Sequence, residues 1–341
     1  MGAPMRCSGL VEGDYVETAE GLLFAVKGLF HPEGRVIAYL RYVPDPEGDR
    51  DRGGRRYRRV YGVEETTGLL EAEHPEYLSR VEAAGLTFQA VPRGSIARVY
   101  RPRDKLRTLM ARQRNELEET LAAFASALAS ESGVPLTRFG VSGSVLIDLA
   151  SPGSDIDLIV YGVEAGREAY DALRRLREAS GWIIPYDARA VGEIVRARWG
   201  DTGLGLEALT EIEVGKVLHG RARGVDYFVR LVKDPEEIER ELSSRPLSEV
   251  RLRAVVTGAR DSIFTPCAYQ VRDCVFIDPP RSEMVSELAS FRGKFTEQAA
   301  EGDAVEARGT LEEVTHRGGT AYRVMLGKKG DYLIPIGPAD R

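Results

Sequence analysis

The sequence has few of the features that secreted, membrane-spanning and zinc-binding proteins require. It contains three cysteines, Cys7, Cys267 and Cys274, and four histidines, with no zinc-motif spacing among them. It has no signal peptide and no apolar run long enough to span a membrane. These absences argue against a structural zinc site, a secreted location and a membrane partner, and they predict a protein of the reducing cytoplasm.

Lysine is also scarce, and the overall charge is not basic. Seven lysines stand against 40 arginines, and the formal net charge is -6. A negative net charge argues against indiscriminate binding to nucleic acid, although a local basic surface remains compatible with it. With 43% hydrophobic residues in 341, the chain can bury a large core and is expected to form two or three domains.

The most informative stretch of the chain runs from Gly140 to Val160. Its first part reads as a short buried strand over residues 138–141, and Gly143 after it can adopt the φ values of a tight turn. A short helix is expected over residues 145–150, with its first free amide donors at Ser144. Such a helix start is a natural place for a phosphate group.

The second part of this stretch brings two carboxylates together. Ser151-Pro-Gly-Ser154 ends the helix, and residues 155–161 alternate as a second strand, so Asp155 and Asp157 project to the same side. Among aliphatic neighbours these carboxylates repel each other and lose hydration, unless a hard divalent cation lies between them. The alternative is an ordinary turn with a loop aspartate and a capping aspartate, but the ordered combination favours a catalytic site.

Gly143-Ser144, the short helix and Asp155-Ile-Asp157 together resemble the signature of the DNA polymerase beta-like nucleotidyltransferases. This superfamily includes CCA-adding enzymes, poly(A) polymerases, antibiotic nucleotidyltransferases and minimal nucleotidyltransferases. The whole chain is similar to an archaeal group of predicted nucleotidyltransferases. The motif lies within residues 140–160, so the resemblance describes the catalytic core and not its flanks.

The resemblance implies a third carboxylate on a later strand, next to the first two. Residues 224–232 are rich in β-branched and aromatic side chains and alternate as a strand, which makes Asp226 the candidate. The alternative for Asp226 is a turn residue at the end of a hairpin. Glu211 and Glu213 compete for the same role, but a solvated helix face explains both.

The chemistry implied by the resemblance is two-metal phosphoryl transfer with release of pyrophosphate. Asp155 and Asp157 are expected to hold the metal that binds a nucleoside triphosphate and to share a second metal. Asp226 is expected to complete the second site and to help activate an acceptor hydroxyl. Gly143 and Ser144 are expected to contact the β and γ phosphates. Oxygen ligands favour Mg²⁺, with Mn²⁺ as a workable substitute.

Basic residues near Asp226 are further candidates for the nucleotide site. Lys216, Arg221, Arg223 and Arg230 are able to neutralise phosphates, with a surface charge as the alternative for each. His219 is expected at a helix C-terminus, where a cation is favoured, and not in a metal site.

The predicted architecture is a multidomain α+β or α/β protein with three parts. Residues 1–102 form an N-terminal β-rich module, and residues 103–235 form a mixed-sheet nucleotidyltransferase domain that begins with one long helix over 103–130. A polar linker or boundary helix follows at 232–242. Residues 247–341 contain a series of short strands and predict a small β-barrel-like domain.

Two segments offer nucleic-acid contacts. Arginines interleaved with glycine and one tyrosine occupy residues 49–59, and aromatics and cations alternate in Phe291-Arg-Gly-Lys-Phe295. A solvated hairpin tip is the favoured alternative for the first segment, because Asp45 and Glu47 are close by. A barrel that only covers the active domain or mediates dimerisation is the alternative for the second.

These observations lead to one favoured function and two alternatives. The favoured function is transfer of a nucleoside monophosphate from a nucleoside triphosphate such as ATP to a hydroxyl, with RNA such as tRNA as the acceptor. The first alternative keeps this chemistry with a protein or small-molecule acceptor. The second is a catalytically idle protein that binds nucleotide or nucleic acid. The sequence leaves open the base transferred and the oligomeric state.

Overall fold

A computed structural model of the chain describes residues 5–6, 9–81, 86–200, 202–239 and 241–338. The chain divides into two compact units, Met1–Ala169 with Ala222–Val229 and Tyr170–Arg221 with Arg230–Arg341. The first unit therefore contains both the predicted N-terminal module and the Gly143 to Asp157 stretch. The predicted three-part division stays a prediction. Cys7 lies outside the described residues.

The described residues contain seven α-helices. Their bounds are Val63–Glu73 (α1), Pro102–Ala111 (α2), Glu116–Ser132 (α3), Gly143–Leu146 (α4), Val163–Ala179 (α5), Ala188–Trp199 (α6) and Leu206–Gly215 (α7).

Strands make up most of the remaining structure. Those before α2 are Met5–Arg6 (β1), Tyr15–Thr18 (β2), Leu23–Val26 (β3), His31–Pro32 (β4), Arg35–Pro44 (β5), Arg50–Arg52 (β6), Arg55–Arg59 (β7), Leu78–Val81 (β8), Leu86–Pro92 (β9) and Ile96–Tyr100 (β10). Those after α3 are Phe139–Val141 (β11), Ile156–Tyr161 (β12), Ile183–Ile184 (β13), His219–Ala222 (β14), Val225–Val232 (β15), Ser243–Gly258 (β16), Cys267–Asp278 (β17), Val285–Ser290 (β18), Asp303–His316 (β19), Gly319–Leu326 (β20) and Tyr332–Pro338 (β21).

The N-terminal sheet of the first unit has strand order β10-β2-β3-β5-β7-β6, with β9 pairing β5 and β8. Its two faces bury different residues. One face packs Phe24, Leu40 and Leu70 into a core that includes α1. The other face packs Tyr42 and Tyr57 against residues of α4 and the segment after it. The sheet therefore carries an apolar core on each side, as alternating strands predict.

A buried histidine illustrates how the N-terminal sheet satisfies its polar groups. His31 is fully buried, its Nε2 lies 3.0 Å from the carbonyl oxygen of Leu10, and its Nδ1 accepts from the amide of Ile37 at 3.2 Å. This pattern fits a neutral ring with a proton on Nε2 only. Burial lowers the pKa of His31 to about 4.

The long helix predicted over residues 103–130 is wrong, because α2 and α3 are separated at residues 112–115. The break is stabilised at the start of α3. The Asn115 side chain accepts from the amide of Glu118 at 3.0 Å, and the Glu118 carboxylate accepts from the amide of Arg114 at 2.8 Å. This reciprocal capping satisfies amides at the new helix start, which an apolar stripe alone does not reveal.

The strand pair that carries the motif lies in the first unit. Antiparallel pairing of β11 and β12 sets Val141 opposite Leu158, and β15 lies on the other side of β12. Tyr227 of β15 stacks on Phe124 of α3, with ring centroids 4.7 Å apart. The predicted strands at 138–141, 155–161 and 224–232 are therefore present, with small shifts in their ends.

In the second unit, the C-terminal strands close into a ring of order β16-β17-β18-β20-β19, because β19 also pairs with β16. The β18–β20 pair is parallel, the other pairs are antiparallel, and β21 adds to β19. This closed ring confirms barrel-like strand pairing in the C-terminal part, while the bounds of a separate domain stay a prediction. Of the two expectations for 232–242, a linker or a boundary helix, the described residues there contain a short 3₁₀ turn at Pro235–Glu237 and no α-helix.

No helix in the described part of the chain is both long enough and apolar enough to cross a bilayer.

Candidate active site

The predicted site begins with a close contact between Gly143 and Asp157. Gly143 has φ +63°, and a Cβ atom at this position would lie 2.0 Å from Oδ2 of Asp157. The backbone amide of Ser142 donates to the carbonyl of Asp157 at 2.8 Å. Glycine is needed here for two reasons, because an L side chain strains this φ and because it would fill the space that the carboxylate occupies.

The two serines beside Gly143 have different environments. The hydroxyl of Ser142 is buried and donates to the carbonyl of Gly13 at 2.7 Å, which fixes the strand end to the N-terminal sheet. Within the part of the chain that the structure describes, the Ser144 hydroxyl makes no hydrogen bond. Ser144 is therefore able to donate to a ligand, whereas Ser142 has a structural partner.

Asp155 lies directly before β12 and is half-buried. Its carboxylate has no hydrogen bond or ion pair with the described residues. A half-buried carboxylate without a hydrogen bond is costly in isolation, and the charge of Arg59 acts on it. Together with Asp157, two positions along, it forms a pair of hard oxygen donors beside Gly143.

The loop before Asp155 is held by Arg50 of β6. Its guanidinium donates to the hydroxyls of Ser151 and Ser154 and, at 3.5 Å, to the carbonyl of Leu149. These three acceptors lie between α4 and Asp155. One rigid donor fork therefore fixes the loop that sets the position of the first carboxylate.

Arg59 and Tyr42 of the N-terminal sheet also lie near the carboxylate pair. Burial disfavours the charged form of Arg59, but the nearby Tyr42, Tyr61 and Asp155 outweigh this and raise its pKa above the ordinary value. Burial raises the pKa of Tyr42, and the charges of Arg59, Arg50 and Asp157 act on the same phenol. The site therefore combines groups from the motif with groups from the N-terminal sheet.

Asp226 is the second residue of β15, the strand next to β12. Its side chain is exposed, and it alternates with Tyr227, which is buried against α3. The predicted role of Asp226 as the third carboxylate stays a prediction. Among the residues that the structure describes, no group of three or more His, Cys, Asp or Glu side chains is arranged to hold a metal ion.

The residues present nevertheless suit a hard cation. Asp155 and Asp157 supply carboxylate oxygens, the ligands that Mg²⁺ prefers, and such ions are commonly held by one or two carboxylates together with substrate phosphates. The Asp157 carboxylate lies against the backbone of Gly143, in the place that a Cβ atom would occupy. The two aspartates therefore fit a magnesium ion that reaches the site with a nucleotide.

The predicted phosphate ligand Lys216 lies in the second unit and is 1% exposed. Its ammonium donates to Glu213 at 3.0 Å and to the carbonyl of Lys294 at 2.7 Å. Burial opposes the charge of Glu213, but Lys216 and Arg198 hold the pKa of this carboxyl below its ordinary value. Lys216 therefore forms a buried ion pair with Glu213, the alternative to Asp226 for the third carboxylate, and Glu213 is not on the solvated helix face that was expected.

The other basic candidates also have protein neighbours. Arg221 lies 3.4 Å from Asp187, and Arg230 is half-buried in β15. His219 was expected at a helix end, but α7 ends at Gly215 and His219 begins β14. That expectation is wrong because the chain turns directly into a strand.

The segment Phe291-Arg-Gly-Lys-Phe295 has mainly structural contacts in the second unit. Phe295 is buried and packs edge-on against Trp199, with ring centroids 5.3 Å apart. The ammonium of Lys294 lies 4.4 Å from the same indole ring and donates to the carbonyl of Arg198 at 3.1 Å. Only Phe291 keeps an exposed ring, so the aromatic-cation pattern describes core packing more than a stacking surface.

Sequence reasoning missed Arg50 and Arg59 as parts of the site. The usable signal was the single tyrosine of β7, because Tyr57 is buried and Arg59, two residues later, lies on the same face of the strand. The acidic neighbours of the hairpin suggested a solvated tip instead, and Arg58 does pair with Asp45 on that outer side, at 3.0 Å.

Comparison with known proteins gives one relative at low similarity. The chain is similar to the Uncharacterized protein MJ1086 of Methanocaldococcus jannaschii, with 28% identity over 336 residues that cover 92% of this chain and 94% of the relative. No family model matches the chain.

Proposed function

We propose that this chain is a metal-dependent nucleotidyltransferase that moves a nucleoside monophosphate from a nucleoside triphosphate to a hydroxyl group. The observation that carries the proposal is the position of the Asp157 carboxylate against Gly143, with Asp155 half-buried beside it and without a hydrogen bond to the described residues. Oxygen donors placed in this way against a glycine turn suit a triphosphate with its bound cation.

The protein groups have separate roles in the proposed reaction. Asp155 and Asp157 hold Mg²⁺ or Mn²⁺, which neutralises phosphate charge when bound. The Ser144 hydroxyl donates to a phosphate oxygen, and the absence of a side chain at Gly143 lets the Asp157 carboxylate lie against this turn. Arg50 keeps the preceding loop in place, so both carboxylates have a fixed position before substrate arrives.

The reaction exchanges one phosphorus-oxygen bond for another. The acceptor hydroxyl oxygen forms a bond to the α phosphorus, the bond from that phosphorus to the bridging oxygen of the β phosphate breaks, and pyrophosphate leaves with the bonding electrons. The hydroxyl proton passes to a carboxylate base, for which Asp226 on the neighbouring strand is the candidate.

RNA is the acceptor that we favour. The closed five-stranded ring in the second unit, with its one parallel pair, supports this choice because some small five-stranded barrels bind oligonucleotides. The buried contacts of Phe295 and Lys294 do not add to it.

The test is incorporation of label from each of the four α-labelled nucleoside triphosphates, with Mg²⁺ and total RNA, by the wild-type protein and by the Asp155→Asn variant. Label on RNA that requires Asp155 supports the proposal. Label on a protein or small molecule supports the same chemistry with another acceptor. Binding of nucleotide or RNA without any transfer supports an idle binding protein and contradicts the proposal.

A further inference from the structure

Strands β6 and β7 form an arginine-rich hairpin over residues 50–59 in the N-terminal sheet. One face of this hairpin lies toward the carboxylate site. Cross-strand pairing sets Tyr42 opposite Arg59 and sets Arg50 opposite Tyr57. Opposed residues and every second residue of a strand share a face, so these four side chains lie together. The same face packs Tyr42 and Tyr57 against Leu146 and its neighbours in the segment that follows Gly143 and Ser144.

Most arginines of this hairpin are engaged by the protein itself. Arg50 donates to the loop before Asp155, and the others donate to carboxylate, phenol or carbonyl oxygens. The pairs are Arg52 with Glu17, Arg55 with the Glu20 carbonyl, Arg56 with the Gly48 carbonyl, and Arg58 with Asp45.

Arg59 differs from its neighbours. Its guanidinium carbon lies 4.4 Å from the ring centroid of Tyr61, and within the described ranges its side chain has no hydrogen-bond acceptor. It is half-buried and within electrostatic reach of Asp155. A partly buried guanidinium with unused donors is suited to bind an anion, and phosphate matches its planar fork.

We propose that Arg59 binds the phosphates of the nucleoside triphosphate, so that the N-terminal sheet is part of the nucleotide site. The inference rests on the proposed function and adds a binding residue to it. In this arrangement Asp155 and Asp157 bind the cation that accompanies the triphosphate, and Arg59 contacts phosphate oxygens from the side of the N-terminal sheet.

The test compares Arg59→Gln and Arg59→Lys with the control Arg58→Gln. Arg58 is the adjacent arginine of β7, but it lies on the opposite face and pairs with Asp45. The ligand is a nucleoside triphosphate analogue with a methylene bridge between its α and β phosphates, titrated with Mg²⁺ in a calorimeter. We expect Arg59→Gln to weaken binding by roughly 10- to 100-fold, Arg59→Lys to weaken it less, and Arg58→Gln to change it little.

A second titration separates a binding role from a structural one. Removing a positive charge near Asp155 leaves the affinity for Mn²⁺ alone unchanged or makes it stronger, because the cation no longer competes with a guanidinium. A disturbed loop would weaken Mn²⁺ and nucleotide binding together. The expected result is therefore weaker binding of the analogue without weaker binding of Mn²⁺.

Three outcomes overturn the inference. The first is equal affinity for the analogue in Arg59→Gln and Arg58→Gln. The second is that Arg59→Gln weakens the binding of Mn²⁺ and of the analogue together. The third is that Arg59→Gln loses binding to RNA and keeps its affinity for the analogue. In each of them a wild-type protein that binds the analogue and transfers label leaves the proposed function standing. If the wild-type protein neither binds the analogue nor transfers label, the proposed function itself fails.

Discussion

Replacing Gly143 with alanine tests whether the space beside Asp157 is needed for function. The substitution has two effects that add. An alanine at φ +63° has a conformational cost of about 1–2 kcal/mol, and a Cβ atom 2.0 Å from Oδ2 of Asp157 forces the carboxylate to move. A displacement of about 1 Å at a catalytic group typically lowers the rate about 100-fold. We expect a modest loss of stability and a loss of transfer activity near this magnitude.

Gly153→Ala is the matched control for this substitution. Gly153 lies in the loop before Asp155, has φ +82°, and its added Cβ would meet no atom within 4 Å. It therefore carries the same kind of backbone strain without a contact to either carboxylate. Thermal unfolding and rates of α-label transfer are measured for both variants. Equal transfer activity and equal Mn²⁺ affinity in the two variants would refute the reasoning, because strain alone would then explain every effect of Gly143→Ala.

Three further predictions concern charge. Asp155→Asn should abolish transfer and change the free energy of unfolding by less than about 0.5 kcal/mol, because this carboxylate has no hydrogen bond or ion pair with the described residues. A chemical-denaturation curve measures the free energy of unfolding, and a large destabilisation would show that Asp155 has a structural role. Lys216→Met should destabilise the protein by up to about 3–5 kcal/mol, because it removes a buried cationic partner of Glu213 and leaves Arg198 at 3.2 Å to balance that carboxylate; the double variant Lys216→Met/Glu213→Gln should recover part of this, and no recovery would mean that the pair is not coupled. The pKa of His31 is lowered to about 4 in the folded state, so the stability that the neutral ring contributes is fully present above the unfolded pKa near 6.5 and is lost as the pH falls toward 4. Between these two pH values, the free energy of unfolding should change with pH less steeply in His31→Gln than in wild type, by up to one proton. Identical pH dependence in the two proteins would contradict a lowered pKa for His31.

The order of elements around the motif follows from its sequence, but the helix expected over residues 145–150 is wrong in its bounds, because α4 begins at Gly143 and ends at Leu146. A turn glycine, a short helix, a breaker and an alternating strand specify β11, α4 and β12 through backbone preferences that act over a few residues. The same is true of the C-terminal barrel at the level of its class. Its strand β18 has the sequence Val-Ser-Glu-Leu-Ala-Ser, which lacks the β-branched run that marks a strand, and it forms because β17 and β20 pair on its two sides.

The contributions of distant segments to the site do not follow from local patterns. Arg50 and Arg59 lie about one hundred residues before Asp155 in sequence, and the register of the N-terminal sheet brings their face to the motif. Lys216 is a residue that the local pattern assigns to the site and that the folded chain buries elsewhere. Its position in a basic stretch favours a phosphate ligand, but a neighbouring carboxylate three residues earlier and the packing of Trp199 bury it instead.

The most direct test of the central claim compares the fate of the two ends of one nucleoside triphosphate. The wild-type protein is incubated with Mg²⁺, acceptor RNA and either α-labelled or γ-labelled substrate, beside the Asp155→Asn and Asp157→Asn variants. We expect the α label to enter the acceptor, the γ label to leave as pyrophosphate in equal amount, and both changes to be lost in the two variants. Entry of the γ label into the acceptor, or transfer that survives in the variants, would contradict the central claim.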